Sequence, residues 1–278
     1  MKKIIAAFDG LKYSESTERY ATGLACREDR ILTGVFLEDF TYHSYKLFDM
    51  VGSQGVSAEK VRSLMEQDAR LRQSSVRQFS GACLRSNVRN LIHQDKSIAI
   101  QELLRETIYA DLLIIGSHET LSHNDEPLPS RFVRDLLVDV QCPVLAVPRE
   151  YQEIDRIILL YDGDPSAVYA AKMFSYLLPE LEPLPMEVIT IQPAVQGHPW
   201  PDAGLVQEFI ECHFPKATFT LREGNPEKEI LDLLDDRHHS LIVLGAYRRS
   251  TVSRWFKPSM ADFLMKNVPM PLFIAHYR

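Results

Sequence analysis

Short continuous apolar runs alternate along the chain with longer stretches whose apolar residues recur at helical spacing. Lys3–Gly10 reads KIIAAFDG and Arg156–Gly163 reads RIILLYDG, each closing on an aromatic residue, an aspartate and a glycine. Both predict a buried first strand that ends in a turn. A helix is expected from Ser14 to Cys26 after the first run. After the second, Asp164 offers an N-cap and Pro165 a first helical residue. Ile31–Leu37 and Val188–Ile191 read as second strands. Further along, DLLIIGS (Asp111–Ser117) matches SLIVLGA (Ser240–Ala246), and CPVLAVP (Cys142–Pro148) matches MPLFIAH (Met270–His276). The stretch before each glycine-ended strand is helical. Ile98, Ile100, Leu103 and Leu104 carry the pattern in the first half; Ile230, Leu231, Leu233 and Leu234 carry it behind the turn Gly224-Asn225-Pro226 in the second.

These pairs are two copies of one unit. Gly116 and Gly245 are 129 residues apart, as are Pro129-Ser130 and Pro258-Ser259, whereas Asp9 and Asp162 are 153 apart. The first copy therefore carries 24 extra residues between its opening strand and its glycine strand, placed between Phe40 and Leu64. Each copy reads as five strands alternating with helices, which predicts a parallel sheet with right-handed crossovers. The domains are expected at residues 1–148 and 149–278, with Pro148–Asp155 as the linker.

Composition adds limits. A chain of 278 residues accommodates two domains of about 150. With 45% hydrophobic and 25% charged residues it has the ordinary mix of a globular protein. A net charge of −7 argues against nucleic acid or an anionic membrane as partner. The four cysteines are scattered and form no C-x-x-C pair, so a reducing, cytoplasmic setting is expected. No apolar run approaches the roughly 18 residues of a membrane span, and the opening run is too short for a signal peptide.

The Asp-Gly strand ends, Ser14 near the first helix start, Gly224-Asn225-Pro226-Glu227, the strand Leu241–Gly245 and the closing segments around Cys142-Pro143 and Met270-Pro271 resemble the universal stress protein family, in tandem and over nearly the whole chain. The resemblance implies two Rossmann-like α/β domains of the adenine-nucleotide α-hydrolase-like kind, each with a five-stranded parallel sheet. It also implies pairing through the last strand, within the chain or in a homodimer, and a cytoplasmic role in stress response with protein clients. Part of that family binds ATP through a loop G-x2-G-x9-G followed by Ser or Thr.

Such a loop works because glycines let backbone N–H groups reach the phosphates. The frame yields Gly116, Glu119, Pro129 and Ser130 in the first copy, so only the first glycine and the serine are kept. Glu119, Asp125 and Glu126 add three carboxylates, and Pro129 removes a donor, which closes this loop to ATP unless a metal ion intervenes. In the second copy the frame yields Gly245, Arg248, Pro258 and Ser259. Here Arg248, Arg249, Arg254 and Lys257 supply four of the 12 basic residues of a half (151–278) that is net −5. Arginine clamps phosphate bidentately, and Ser250, Thr251 and Ser259 add hydroxyls. An anionic ligand, ATP or another adenine nucleotide, is thus expected in the second domain if anywhere. The competing reading is a solvated loop.

By the same resemblance Asp9 and Asp162, at strand carboxyl ends, and the backbone near Val35 and Ile191 would contact the nucleoside. Asp-Gly turn chemistry explains the aspartates equally well. The aromatic insertion Phe40–Ser57 reads as a loop folded on its own domain. The stretch with Val61, Leu64, Met65, Leu71 and Phe79 reads as a core-facing helix. Cys212-His213 and His238-His239 lack metal-ligand spacing. No hydrolase base or nucleophile is evident. The functional alternatives are a non-catalytic interaction or scaffolding module with degenerate nucleotide sites, and a nucleotide sensor or slow ATPase using the basic loop.

Overall fold

A computed structural model describes residues 2–27, 29–39, 51–52, 55–56, 58–192, 203–246 and 259–277. The basic loop 247–258, with Arg248 and Arg249, and the aromatic segment 40–50 lie outside the described residues. The chain divides into two compact units, Met1–Cys142 and Pro143–Arg278.

In the first unit, β1 (Lys2–Phe8) leads into α1 (Glu15–Ala25), whose N-cap Ser14 accepts the Thr17 N–H at 3.2 Å. Then follow β2 (Arg30–Asp39), a two-residue hairpin of β3 (Val51–Gly52) and β4 (Gly55–Val56), and α2 (Ala58–Arg85). β5 (Asn90–Ser97), α3 (Ala99–Ile108), β6 (Leu112–Gly116) and α4 (Arg131–Asp139) complete it. Its parallel sheet runs β6-β1-β2-β5, and every residue of β6 is buried, as a strand covered on both faces requires.

The second unit begins with β7 (Val144–Val147), the strand that closes the first sequence copy. β8 (Arg156–Leu160), α5 (Pro165–Leu177), β9 (Met186–Gln192), α6 (Ala203–His213), β10 (Thr218–Glu223), α7 (Pro226–Leu234), β11 (Ser240–Gly245), α8 (Met260–Asn267) and β12 (Leu272–Ala275) follow. The strand order is β10-β9-β8-β11-β12, all parallel, with β7 antiparallel to β12. Asp164 caps α5, the helix start read from its side-chain chemistry, and Asn225 and Ser259 cap α7 and α8. No helix among the described residues is long and apolar enough to cross a membrane.

Sheet register reproduces the sequence offsets. Ile5 pairs with Leu113 in the first unit, and Ile158, 153 residues on, pairs with Ile242, 129 residues on. The second strands are aligned by the same rule: Val35 faces Ala7, and Ile189 faces Leu160. Ile189, not Ile191, is therefore the counterpart of Val35.

α2 is one continuous helix of 28 residues. Its second half packs inward, with Phe79, Ala82 and Cys83 buried, but Met65 is 68% exposed. Met65 is thus not core. The apolar stripe meets the sheet only from Asp68 onward, because residues 59–67 hold no buried position.

Candidate functional site

A cavity of about 250 Å3 opens at the carboxyl ends of β8, β9 and β11, where parallel α/β sheets take ligands. Asp162, Ile191 and Gly245 line it together, so three of the second-domain candidates converge. Ser259 caps the helix whose first residue, Met260, also lines it. Arg248 and Arg249 fall outside the described residues. The rest of the wall is apolar: Leu160, Ile189, Ile230 and Leu244. Sequence periodicity identifies these as core; the register of β8 against β9 is the signal that also places Ile189 at the site.

The turn after β8 is shaped by Gly163 at φ +86°, a left-handed conformation that favours glycine. Asp162 is exposed, and its Oδ1 accepts the Asp164 N–H at 2.9 Å. The side chain thus has a turn role and still faces solvent at the cavity. Gly245 is fixed by packing. A methyl group there would lie 2.3 Å from the Ser166 carbonyl carbon and 2.5 Å from the Ala167 nitrogen, because the first turn of α5 presses against the strand.

The matching region of the first unit is occupied by its own side chains. Asp9 is buried, and its Oδ1 accepts the N–H groups of Leu11 and Lys12 at 2.9 and 3.0 Å. The Asp9 N–H donates to Glu119 Oε2 at 3.2 Å. Glu119, in the loop position where the motif expects glycine, is 2% exposed, and its Oε1 has no hydrogen-bond partner. His118 covers Gly116 so closely that a methyl group there would meet its ring at 2.7 Å. Ser130 caps α4 through the Val133 N–H at 3.2 Å, donates its hydroxyl to the Glu119 carbonyl, and donates its N–H to Ser117 O at 3.0 Å. Val35 is fully buried in β2.

Burial pushes both carboxyls of this pair up, and the charge of Asp9 further opposes ionisation of Glu119; the turn N–H groups, Lys12 and a hydrogen bond with Glu119 pull Asp9 partly the other way. The pair therefore favours holding a proton that isolated carboxylates would release. α2 seals the arrangement from outside. Ser75 donates to Gly10 O at 2.7 Å, Arg72 Nη1 lies 3.6 Å from Glu38, and the buried Asp68 meets His123 Nε2 at 2.8 Å.

Among the described residues no group of three or more His, Cys, Asp or Glu side chains converges. His213 packs instead beside Phe209, with ring centres 4.8 Å apart. All four cysteines are free, and burial pushes the Cys142 thiol up to about 12.

Residues 153–276 match the model of the universal stress protein family. A curated universal stress protein from Synechocystis sp. is 21% identical over 293 residues, covering 98% of this chain and 99% of that protein. Among solved structures, a universal stress protein from Archaeoglobus fulgidus DSM 4304 aligns with a TM-score of 0.71 at 13% identity, covering 99% of this chain and 98% of that one. A functionally unknown protein from Pseudomonas aeruginosa PAO1 aligns at 0.57 and 12% identity, covering 99% and 92%. At these identities the structural matches speak for the fold alone.

Proposed function

We propose, on the premise that this chain belongs to the universal stress protein family, that it serves the stress response as a nucleotide-responsive sensor whose second unit takes an adenine nucleotide. The observation that carries this is the cavity in which Asp162, Ile191 and Gly245 meet. At about 250 Å3 it is slightly smaller than the about 300–1,000 Å3 of ligand pockets, and its wall is apolar with one carboxylate. That suits the flat base of a nucleotide. The phosphates would extend to the basic loop with Arg248 and Arg249, where guanidinium groups replace missing glycine amides.

In this reading the first unit binds no nucleotide, since Glu119 and His118 stand where a ligand would, and the protein acts in the cytoplasm on protein clients. The second reading, a scaffolding module without nucleotide, draws on Gly245. Its open side is taken by α5, so it has a packing role independent of any phosphate. Thermal-shift measurements with ATP, ADP and AMP separate the two. The sensor reading expects a rise in Tm that Arg248→Ala with Arg249→Ala abolishes and that Asp162→Ala weakens. No response from the intact protein, or one that survives the double arginine variant, refutes it.

A further inference from the structure

A second and larger cavity of the same unit, about 420 Å3, plays no part in the reading above. Its volume falls inside the about 300–1,000 Å3 range of small-molecule sites. One wall is α5, through Val168, Tyr169 and Lys172; the other is α6, through Leu205, Val206 and Phe209. Both triplets follow an i, i+1, i+4 spacing, which keeps the three side chains of each helix within one stripe about 100° wide. Tyr161 lines both cavities, and Tyr277 joins the lining of the second.

The chemistry of the lining selects an occupant. Tyr169 and Tyr277 stand edge to face with ring centres 5.9 Å apart, and Phe209 supplies a third ring. Such rings make offset or edge-to-face contacts with another flat ring that add to the area they bury. Leu205 is 70% and Tyr277 60% exposed, so this apolar surface stands open to solvent. Among the described residues of the lining Lys172 is the one that is charged, and no carboxylate joins it. Its ammonium lies 6.0 Å from the Tyr176 ring centre, at the limit of cation–π reach. In a chain of net charge −7, a cation in the lining of an aromatic groove is complementary to a small anion. The first cavity has the opposite sign, with Asp162 as its charge.

We propose that the groove between α5 and α6 is a binding site for a flat aromatic acid, its rings seated among Tyr169, Phe209 and Tyr277 and its carboxylate facing Lys172. The site is separate from the nucleotide cavity and shares only the Tyr161 wall with it.

Titration calorimetry of the full-length protein with 2-naphthoate, its neutral amide 2-naphthamide, and laurate tests this. Naphthoate is expected to bind one to one, at least ten-fold more tightly than the amide or laurate. Lys172→Gln should erase the preference over the amide while leaving amide binding unchanged, and Leu205→Glu should abolish naphthoate binding. Both replace exposed side chains, and an unchanged Tm confirms that each variant folds. Asp162→Ala should leave naphthoate binding intact, which keeps this result distinguishable from failure of the nucleotide reading. The proposal is overturned if naphthoate does not bind, if acid and amide bind equally, if laurate binds more tightly, or if both groove variants bind like the parent.

Discussion

The two strand-end regions hold the same backbone plan and opposite contents. In the first unit Asp9 is buried beneath Glu119; in the second Asp162 is exposed beside an open cavity. The glycines at the ends of β6 and β11 differ in the same sense. His118 folds over Gly116, whereas the backbone of α5 presses on Gly245. The difference teaches that a shared register carries the sheet, while the loops at its carboxyl end decide whether a site exists.

The largest expected effect separates the two glycines. Gly245→Ala forces backbone against backbone and should cost about 3 kcal/mol, whereas Gly116→Ala meets a side chain that can turn away and should cost about 1 kcal/mol. Urea unfolding of the two variants checks the ratio; equal losses would erase the distinction between a packed and a merely covered glycine. Next come the two helix caps. Ser130→Ala removes a buried cap that also ties down the Glu119 loop and should cost about 2 kcal/mol, against about 1 kcal/mol for Ser259→Ala in its capping box.

Opposite pH slopes form the third test. Asp9 and Glu119 have folded values raised above 3.8 and 4.5, so their contribution is fully present below those values and is lost as pH rises through the folded ones. Glu187 behaves inversely. Burial alone would raise its carboxyl, but hydrogen bonds from Arg237 (2.8 and 3.2 Å) and Thr220 (2.7 Å) hold it below 4.5, so its contribution is present above 4.5 and fades in acid. Hydrogen exchange should show residues 117–130 loosening as pH rises, and β9–β10 loosening as it falls. Glu119→Gln should flatten the first trend alone. The smallest effect is Asp162→Ala, an exposed change expected to alter stability by no more than about 0.5 kcal/mol while weakening the nucleotide response.

Much of this was legible from residues close together in the chain. The offsets of 129 and 153 residues reappear as sheet register, Asp164 caps the helix that its side-chain chemistry predicts, and the first helix starts beside Ser14 as expected. Asp162, Ile191 and Gly245 do share a cavity. What stayed hidden depends on which way a loop faces. Glu119 reads as one of three acidic loop residues, but its side chain turns inward onto a backbone N–H 110 positions earlier, and no local pattern encodes that. The Glu187–Arg237 pair, 50 positions apart, is equally silent, as is the counterpart of Glu187 by register, Thr33, whose buried hydroxyl has no hydrogen-bond partner. α2 was recognisable as a helix. Its exposed first half was not, because apolar spacing continues past the point where there is a sheet to cover.

Phe79 of α2 rests on Gly34 of β2, where a methyl group would come within 2.5 Å of the ring, and its ring also meets those of Phe8 and Phe36 edge-on. In evolutionary terms these two positions form a ratchet. Once an aromatic ring occupies the notch, position 34 can gain a side chain only if position 79 first gives one up, so the helix and the strand can change at this point only together. A change at either position alone therefore carries a penalty that a joint change would not, although the two lie 45 residues apart in the chain.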